Sequence, residues 1–333
     1  MSIFGLRFDL RNPAFAGTTI AERYEAALDM AEWADGLGFV VIAVSEHHGS
    51  DDGYLPSPLT MAAAMAARTE RARIQIAALI APFHDPLRLA EDIAVVDQIS
   101  GGRLDLVIAN GYVPGEFAMF GCALSDRAKR TTEMVEVLKQ AWTGEPFEFR
   151  GRTARITPKP HQVGGPKISL GGSTEVAARR AARIADGFVP SNADVWPAYR
   201  DEMVKVGKAD PGPALGADTS AFYLARDPVK GWADYAPYAM HEMNAYGAWM
   251  AEAGMGKEGG YETVSDADAL RATGQYRVLT PDEFLTDLQA KGPFGFAMFH
   301  PLVGGVPPAM AWESLRLFEN EVLPRLDDAQ PGG

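Results

Sequence analysis

The sequence contains a single cysteine, Cys122, among 333 residues. One cysteine excludes an internal disulfide and a metal site built from several cysteines. No apolar run reaches the roughly 18 residues that a membrane-spanning helix requires, and the amino terminus shows no secretory signal. Basic residues are also scarce, since 31 Lys and Arg stand against 44 Asp and Glu, which gives a formal charge of -13. We therefore expect a cytoplasmic protein with no nucleic-acid partner and no membrane partner.

Short apolar runs alternate with amphipathic segments along the chain, which is typical of a parallel α/β fold. The clearest unit is a helical pattern over 86–99 that ends at Ser100-Gly101-Gly102, followed by a buried strand over 104–109. Eight strands of this kind favour one (β/α)8 TIM barrel with insertions over a two-domain arrangement. The predicted strands span 3–10, 39–44, 74–80, 104–109, 167–170, 187–190, 221–225 and 294–299. The predicted helices span 20–34, 58–68, 86–99, 127–142, 175–184, 195–206, 232–250, 281–290 and 308–323.

The whole of 1–326 is predicted to form one domain, and 327–333 is predicted to be a flexible tail. The segment at about 231–275 is the least regular, because an aromatic and methionine-rich helix leads into a glycine-bearing acidic stretch. Long irregular segments in compact domains usually have a function or are disordered. We expect this segment to be an insertion or a mobile lid.

Polar side chains or glycines follow four of the predicted strands, at the end of a barrel where active sites lie. These are Glu46-His47-His48, Asn110-Gly111-Tyr112, Gly171-Gly172-Ser173-Thr174 and His300. Adjacent strand residues point in opposite directions, so one of the two histidines is a candidate general acid or base at the barrel mouth.

The histidines have two alternative roles, which are structural pairing with Glu46 and a metal site with Asp51 or Asp52. Alternation along a strand makes a shared metal ion unfavourable, and no metal is expected. His84 has an equally open role, either fixing the turn before Pro86 or contacting a ligand.

The run Gly171 to Thr174 lies between a predicted strand and a predicted helix. Free backbone amides and the positive end of the helix dipole would face an anion there, which indicates a phosphate site. The alternative is a simple turn in which Ser173 or Thr174 caps the helix. No Walker-type lysine follows the glycines, so a bound cofactor phosphate fits better than nucleotide hydrolysis.

Several ordered motifs make the chain resemble the bacterial luciferase-like flavin monooxygenase family. They are SEHHG at 45–49, HDPLRLAEDIAVVDQISGGRLDLVIANGY at 84–112, Glu116-Phe117 with Phe120-Gly121, and ISLGGST at 168–174. The resemblance implies a (β/α)8 barrel that uses reduced FMN and O2 to oxygenate a small organic substrate. It also implies a homodimer through the helices at 58–68 and 86–99. No GxGxxG motif follows a strand, so reduced FMN is expected from a separate flavin reductase.

By this resemblance, His47 is the catalytic residue that stabilises or protonates the oxygenated flavin. Ala77-Ala78 matches a strand end where relatives often have a non-prolyl cis peptide beside the isoalloxazine ring. Asn110 stands where luciferase has an arginine near the flavin phosphate, and Ala109 stands where it has a reactive cysteine. The expected cofactor-binding residues are Ala77, Ala78, Asn110, Gly111, Tyr112, Gly171, Gly172, Ser173 and Thr174. The expected substrate or rim residues are Phe8, His48, Glu116 and His300. Apolar lining of the substrate side is expected from Phe8, Phe83, Tyr112, Phe120, Trp232, Met240 and Met243, and the alternative for these residues is ordinary packing in the core or a lid.

Two other functions are open from the sequence. One is hydride transfer with a deazaflavin coenzyme, in an oxidoreductase of the same family, although the Glu46-His47-His48 run favours FMN. The other is flavin binding without turnover, which His47 and the open phosphate loop disfavour. The substrate itself is not predicted by any motif.

Overall fold

The computed structural model of the chain describes residues 2–214, 220–255, 260–292 and 295–327. Strands and helices alternate along most of this length, as the apolar pattern predicts. The strands are β1 (Ile3–Phe8), β2 (Val41–Val44), β3 (Arg73–Ile80), β4 (Leu104–Ala109), β5 (Phe147–Phe149), β6 (Arg152–Ala154), β7 (Ile168–Gly172), β8 (Gly187–Pro190), β9 (Ala221–Leu224), β10 (Tyr276–Leu279) and β11 (Phe296–Phe299).

Seven of these strands form one parallel sheet in the order β11-β1-β2-β3-β4-β7-β8. β9 and β10 form a separate parallel pair, and β5 and β6 form an antiparallel hairpin. The parallel α/β class is therefore confirmed. Within the described residues, the eight strands predicted for the barrel do not form one continuous hydrogen-bonded sheet.

The helices cover the sheet and the ends of its strands. They are α1 (Ile20–Gly36), α2 (Pro58–Arg68), α3 (Pro86–Ile99), α4 (Pro114–Met119), α5 (Arg127–Ala141), α6 (Glu175–Ile184), α7 (Trp196–Lys205), α8 (Pro228–Glu252), α9 (Ala267–Ala272), α10 (Pro281–Ala290), α11 (Pro308–Leu317) and α12 (Leu323–Asp327), with a π-helical turn at Phe318–Val322.

Local capping explains why several helices begin where the sequence predicts. The Thr19 side chain accepts a hydrogen bond from the Glu22 amide, and Glu22 reaches back to Thr19, which forms a capping box at α1. Asp85 caps α3 by accepting from the amides of Leu87 and Arg88. The predicted bounds of α2, α3, α6 and α10 and of β4 and β8 agree with the structure at both ends.

Several parts of the chain differ from prediction or lie outside the described residues. β10 was not predicted, because four residues beside a polar segment give too short an apolar signal and only the pairing with β9 defines the strand. β1 ends at Phe8 because Leu10 has a positive φ of 60°, which is incompatible with a strand. Of the eighth predicted strand, 296–299 is confirmed, whereas Phe294 lies outside the described residues, as do 256–259 and the tail residues 328–333.

Helix α8 occupies the first half of the segment predicted to be an insertion or lid. One of its faces is buried, and that face carries Trp232, Tyr235, Glu242, Met243 and Tyr246. Trp232 and Met243, which were predicted to line the substrate side, belong to the continuous hydrophobic core. No helix within the described residues has the length and apolarity needed to cross a membrane.

Candidate active site

The carboxyl ends of β1 and β2 bring two chemically important side chains together. Phe8 pairs with Val44 in parallel register, so Arg11 and His47, each three residues further on, leave the sheet side by side. His47 is only 7% exposed. Four aromatic rings surround its imidazole, and we call them the aromatic enclosure. They are Trp249, stacked at 4.2 Å between ring centroids, Tyr54 at 4.9 Å, and Tyr112 and Tyr246 at 5.8 Å each.

Glu116 fixes the orientation of the His47 ring. Its Oε1 atom lies 2.8 Å from His47 Nδ1 and also accepts a hydrogen bond of 2.8 Å from the His48 amide. A carboxylate that accepts both bonds assigns the hydrogen to Nδ1. His47 Nε2 makes no hydrogen bond to a described residue and is the ring atom that can exchange a proton with a ligand. The prediction that Glu116 lies on the rim is wrong, because its side chain is buried behind His47.

His48 takes a separate partner, as expected for neighbouring residues at a strand end. Its Nε2 donates to Glu46 Oε1 at 2.8 Å, and His84 Nε2 lies 2.9 Å from the same oxygen. The Ile80 amide donates to Glu46 Oε2 at 2.6 Å. Burial would raise the pKa of Glu46, but the hydrogen bonds from His48, His84 and Ile80 outweigh burial and lower it.

Glu46 therefore ties the end of β2 to the end of β3. The prediction that His48 lies on the substrate rim is wrong, because its ring packs edge-on against Phe83 and Phe120 while its nitrogen binds Glu46. Structural pairing with Glu46 thus holds for His48, whereas His47 faces the aromatic enclosure. His84 also binds Glu46, a partner that the sequence did not indicate for it.

The hydroxyl groups of the enclosure are kept neutral by burial. Tyr54 and Tyr246 share a hydrogen bond of 2.8 Å between their hydroxyls, and Ser45 is hydrogen-bonded to Tyr54. Burial, with a further contribution from the Asp9 charge, raises the pKa of Tyr54 to about 12. Burial also raises the pKa of Tyr112, whose hydroxyl makes no hydrogen bond to a described residue.

Arg11 is completely buried beside this enclosure. Its guanidinium carbon lies 4.7 Å from the Tyr54 ring centre, 4.9 Å from that of Tyr246 and 4.6 Å from that of Trp249. Its Nη1 donates to Asp52 Oδ2 at 2.5 Å. Burial would lower the pKa of Arg11, but the negative charges of its neighbours, including Asp52, outweigh it and raise the pKa.

Asp52 was considered as a metal ligand together with His47 and His48. The structure does not bring these groups together, because Asp52 binds Arg11 and lies 2.7 Å from His241 Nε2, while the two histidines bind Glu116 and Glu46. Burial would raise the pKa of Asp52, but the hydrogen bond with His241 and the Arg11 charge lower it.

His300 is buried instead of lying at the rim, which corrects a third prediction. Its Nε2 lies 3.6 Å from Asp9 Oδ1 and its Nδ1 lies 3.5 Å from Glu242 Oε1. Potential ligand atoms of these three residues lie within 4.8 Å of one another, which is close enough to hold a metal ion. However, Arg7 lies 3.0 Å from Glu242 and Arg11 lies 3.4 Å from Asp9, so both carboxylates are already compensated by cations.

Phe8 does not lie at the substrate rim, and the alternative of core packing holds for it. It is the last residue of β1, pairs with Val44 and is buried in the hydrophobic core. The rim prediction failed because the chain turns after β1 and places Arg11, rather than Phe8, beside the aromatic enclosure.

A second, more exposed part of the site lies where β4 and β7 end. Ile108 pairs with Leu170, so Asn110 and Gly172, each two residues further on, are neighbours at the same edge. Arg180 Nη1 donates to Asn110 Oδ1 at 3.1 Å. Burial and the nearby positive charge of Arg127 lower the pKa of Arg180. We call Asn110, Arg127, Arg180 and the 171–174 turn the basic corner.

The turn at the basic corner combines capping with close packing. Thr174 Oγ1 accepts a hydrogen bond of 3.2 Å from the Ala177 amide, so the capping alternative is confirmed for Thr174. Ser173 makes no side-chain hydrogen bond to a described residue. A Cβ atom on Gly172 would lie 2.6 Å from the Ala177 Cβ, so glycine here permits close packing of β7 against α6.

Position 111 also requires glycine for reasons of backbone conformation and packing. It has a φ of +71°, and a Cβ atom there would lie 2.8 Å from Ile80 Cγ2. The glycine is therefore needed for the turn and for packing against Ile80, in addition to any ligand contact. The sequence did not indicate Arg127 or Arg180, because both lie within helical patterns. Only the fold brings Arg180 to Asn110 and places the Arg127 charge near Arg180.

The predicted cis peptide is confirmed. The bond between Ala77 and Ala78 is a non-prolyl cis bond, and the register of β3 with β4 shifts between Ala77 and Leu79. These residues lie on the strand whose end Glu46 holds through the Ile80 amide.

Comparison with proteins of known function gives a curated relative at 30% identity, the FMNH2-dependent dimethylsulfone monooxygenase of Pseudomonas putida. The match covers 62% of this chain and 56% of that relative, so the chain spans little more than half the length of the relative. A longer match, at 24% identity, covers 90% of this chain and 92% of the F420-dependent glucose-6-phosphate dehydrogenase of Microbacterium testaceum.

The fold has a close counterpart among solved structures. The monooxygenase RslO1 from Streptomyces bottropensis superposes with a TM-score of 0.73 at 26% identity, over 97% of this chain and 99% of that chain. A family model described as luciferase-like monooxygenase matches residues 4–293. This match spans most of the chain and includes β1, β2, β4, β7 and α8, which carry the aromatic enclosure and the basic corner. The chain therefore belongs to the luciferase-like monooxygenase family.

Proposed function

We propose that this chain is the oxygenating component of a two-component flavin-dependent monooxygenase. It uses reduced FMN, delivered by a separate flavin reductase, and O2 to oxygenate a small organic, largely apolar substrate. The observation that carries this proposal is the position of His47 at the end of β2, with Nδ1 fixed by Glu116 and the rest of the ring inside the aromatic enclosure. Family membership and the FMNH2-dependent relative support it.

The residues present fit FMN at both ends of the candidate site. The basic corner offers the Arg180 guanidinium, the Asn110 amide and the amides at the start of α6 to a phosphate. Tyr112 OH and Glu116 Oε2 are buried atoms without a hydrogen bond to a described residue. They are therefore free to form hydrogen bonds with polar atoms of the isoalloxazine ring. Ala77, Ala78, Gly111 and Gly171 would lie along the isoalloxazine and ribityl path, while Ser173 and Thr174 would flank the phosphate.

Bound reduced FMN would supply the electrons that activate O2. The chain's own residues would position the reactants and control proton transfer. His47 Nε2 would donate or hold a hydrogen bond at the reacting oxygen, while Glu116 keeps the hydrogen of Nδ1 in place. The aromatic enclosure would exclude water and hold the apolar part of the substrate.

The broader organisation of the protein is part of the same proposal. We propose a single domain over 1–326 in which β9 and β10 complete a (β/α)8 barrel, with residues near 231–275 covering the site as a lid. We also propose a cytoplasmic homodimer. Val95 and Ile99 of α3 are 45% and 47% exposed, which supports contact between copies through α2 and α3.

A second candidate function is hydride transfer with a deazaflavin coenzyme. The match to an F420-dependent dehydrogenase over 90% of this chain favours it specifically. In that reaction His47 would serve as a proton donor or acceptor beside the substrate. A flavin-binding protein without turnover is a third candidate, and the ordered His47–Glu116 pair speaks against it.

The proposed function can be tested by anaerobic titration with reduced FMN and, separately, with reduced deazaflavin coenzyme, followed by admission of oxygen. Tight binding of reduced FMN and a transient absorbance change that requires oxygen would support the monooxygenase. Selective binding of the deazaflavin, without an oxygen-dependent signal, would support hydride transfer as the function instead. Binding of oxidised and reduced FMN with equal affinity and no reaction with oxygen would favour a non-catalytic role.

A further inference from the structure

Helix α4 holds the chain just beyond β2 at two points that lie one helical turn apart. Glu116 Oε1 lies 2.8 Å from His47 Nδ1 and accepts a hydrogen bond of 2.8 Å from the His48 amide. Met119, three residues further along the same helix, packs its sulfur against Gly49. A Cβ atom on Gly49 would lie 3.4 Å from Met119 Sδ. The two side chains of α4 therefore act together on the residues that carry the His47 ring.

The contact between Met119 and Gly49 supports the last turn of this short helix. α4 has six residues, of which only Glu116 and Phe117 are buried. Gly49 has a φ of +64°, which a residue with a side chain rarely adopts, and the missing side chain leaves room for the sulfur beside the backbone. A chemical change at the Met119 sulfur therefore acts on Gly49 and on the helix that bears Glu116.

The Met119 thioether is also open to reagents in the solvent. Met119 is 64% exposed, whereas every other methionine within the described residues is buried or half-buried. Oxidation of a sulfur-bearing side chain depends on its access to the oxidant. Exposure therefore singles out Met119 as the methionine that an oxidant in solution reaches first.

We propose that Met119 is an oxidation site, at which hydrogen peroxide converts the thioether to a sulfoxide and loosens the hold of α4 on His47. The O–O bond of the peroxide breaks, one oxygen atom bonds to sulfur, and the other leaves as water. Sulfur loses the two electrons that the peroxide gains. The sulfoxide is polar, so it disrupts the apolar contact with Gly49, and methionine sulfoxide reductases can reverse the change.

The proposed function supplies a source of peroxide near Met119. Reduced flavin that reacts with O2 without oxygenating a substrate yields oxidised flavin and hydrogen peroxide. Met119 lies one helical turn from Glu116, which orients the proposed catalytic histidine. Oxidation would then slow a protein that consumes reduced flavin without forming product. This source of peroxide rests on the proposed function, whereas the oxidation site itself can be tested with added peroxide.

The experiment treats the full chain with hydrogen peroxide, in a Cys122→Ser background that removes the single thiol. Mass spectrometry of proteolytic fragments follows sulfoxide formation at each methionine. Met119 should be oxidised at least about ten-fold faster than the half-buried Met203, because oxidation follows exposure. Equal rates at the two methionines, or a faster rate at Met203, would overturn the assignment of the site.

NMR of protein with isotope-labelled histidine measures the consequence at His47 without any cofactor. Before oxidation, the His47 ring should carry its hydrogen on Nδ1, where Glu116 holds it. Peroxide should reduce the signal of this form in step with sulfoxide formation at Met119. His47→Gln identifies the signal by its loss. An unchanged His47 signal in protein fully oxidised at Met119 would overturn the link between the two residues.

Three variants assign the response to the Met119 sulfur. Met119→Leu keeps an apolar side chain of similar size, so the His47 signal should no longer respond to peroxide. Met119→Gln introduces a polar group and should reproduce the effect of oxidation without peroxide. Met203→Leu is the matched control and should respond as the unmodified chain does. Circular dichroism checks that each variant is folded, and a response that survives in Met119→Leu would overturn the role of Met119.

The oxidation site and the proposed function can fail separately. Selective oxidation of Met119 with a change at His47, in a chain that gives no oxygen-dependent signal with reduced FMN, would support the site and remove its proposed source of peroxide. An oxygen-dependent signal with reduced FMN, in a chain whose Met119 resists peroxide, would support the function and overturn the site.

Discussion

The buried part of the candidate site and the basic corner are built in opposite ways. In the buried part, most functional contacts join separate parts of the chain, such as Arg7 with Glu242 at a separation of 235 residues and His47 with Glu116 at 69. The basic corner has one comparable contact, between Arg180 and Asn110 at a separation of 70 residues, but the rest of it is local. In the basic corner, a strand, a glycine turn and a helix follow one another between 168 and 184, and the turn is partly exposed.

Their charges differ as well. In the buried part, Arg7 and Arg11 face Glu242, Asp9 and Asp52, so each positive charge has a carboxylate partner. In the basic corner, Arg180 donates to the neutral Asn110 amide, and Arg127 adds a second positive charge nearby. The comparison shows that paired positive and negative charges stabilise the architecture of the buried part. The excess positive charge of the basic corner instead suits an anionic ligand.

The largest expected effect is on stability in the buried part. Arg11→Ala should lower the free energy of unfolding by about 3–5 kcal/mol, because it leaves Asp9 and Asp52 as buried charges without their cation. Arg180→Ala, which removes a partly exposed charge from the basic corner, should cost less than about 1 kcal/mol. Urea denaturation followed by circular dichroism measures the free energy of unfolding of both variants. Similar losses in the two variants would contradict the view that the buried part depends on charge compensation and the basic corner does not.

The next effect concerns chemistry within the buried part. His47→Ala should lower the rate of product formation by about 100-fold or more, because general acid–base groups usually contribute at least that much. FMN affinity should remain largely intact, since the proposed phosphate site is the basic corner and does not include His47. Steady-state turnover with coupling of oxygen use to product measures the change, with the exposed His161→Ala as control. Unchanged coupled turnover in His47→Ala would remove His47 from the mechanism.

Acid should destabilise the buried part selectively. Burial opposes ionisation of Asp9, but His300 and Arg11 outweigh burial and lower its pKa to about 2. A carboxylate with a lowered folded-state pKa stabilises the fold above its unfolded value of about 3.9, and this stability is lost as the pH falls through the folded value. We expect a loss of about 2 kcal/mol from Asp9 between about pH 5 and pH 2.

Denaturant titrations at several pH values measure this dependence. Asp9→Asn should flatten it, because the titrating group is gone. Asp282→Asn is the matched surface control, since Asp282 is exposed and binds Arg325. An equal pH dependence in the unmodified chain and in Asp9→Asn would contradict the assignment.

The smallest expected effect is on cofactor affinity at the basic corner. Arg180→Ala should weaken FMN binding by about ten-fold, as expected for loss of a charge-assisted hydrogen bond at a partly exposed position. Riboflavin, which lacks the phosphate, should bind as before. The neighbouring Arg179→Ala is the control, because Arg179 pairs with Glu175 instead. Fluorescence titration gives both affinities, and equal losses for FMN and riboflavin would defeat the phosphate assignment.

The sequence predicted most of the architecture because local signals dominate there. Helix α3 follows from Asp85 as a cap, apolar residues at helical spacing, and Gly101 and Gly102 after its end. The short strand β10 was missed because pairing with β9, rather than its own four residues, defines it. In the site, the sequence indicated His47 and the 171–174 turn, but it placed Glu116, His48, His300 and Phe8 at a rim where none of them lies.

By itself, the sequence determined most of the strand and helix pattern, the family and the candidate catalytic histidine, because apolar periodicity, capping residues and contiguous motifs act over a few neighbouring residues. Only the tertiary structure decided that Glu116 orients His47, that Arg180 reaches Asn110, and that Arg11 lies beside Trp249. These contacts depend on parallel register and on the packing of α8 over the strand ends. Contacts between residues distant in sequence produce no periodic pattern that could predict them. Polar side chains that the sequence suggests are exposed can therefore be buried partners within the site.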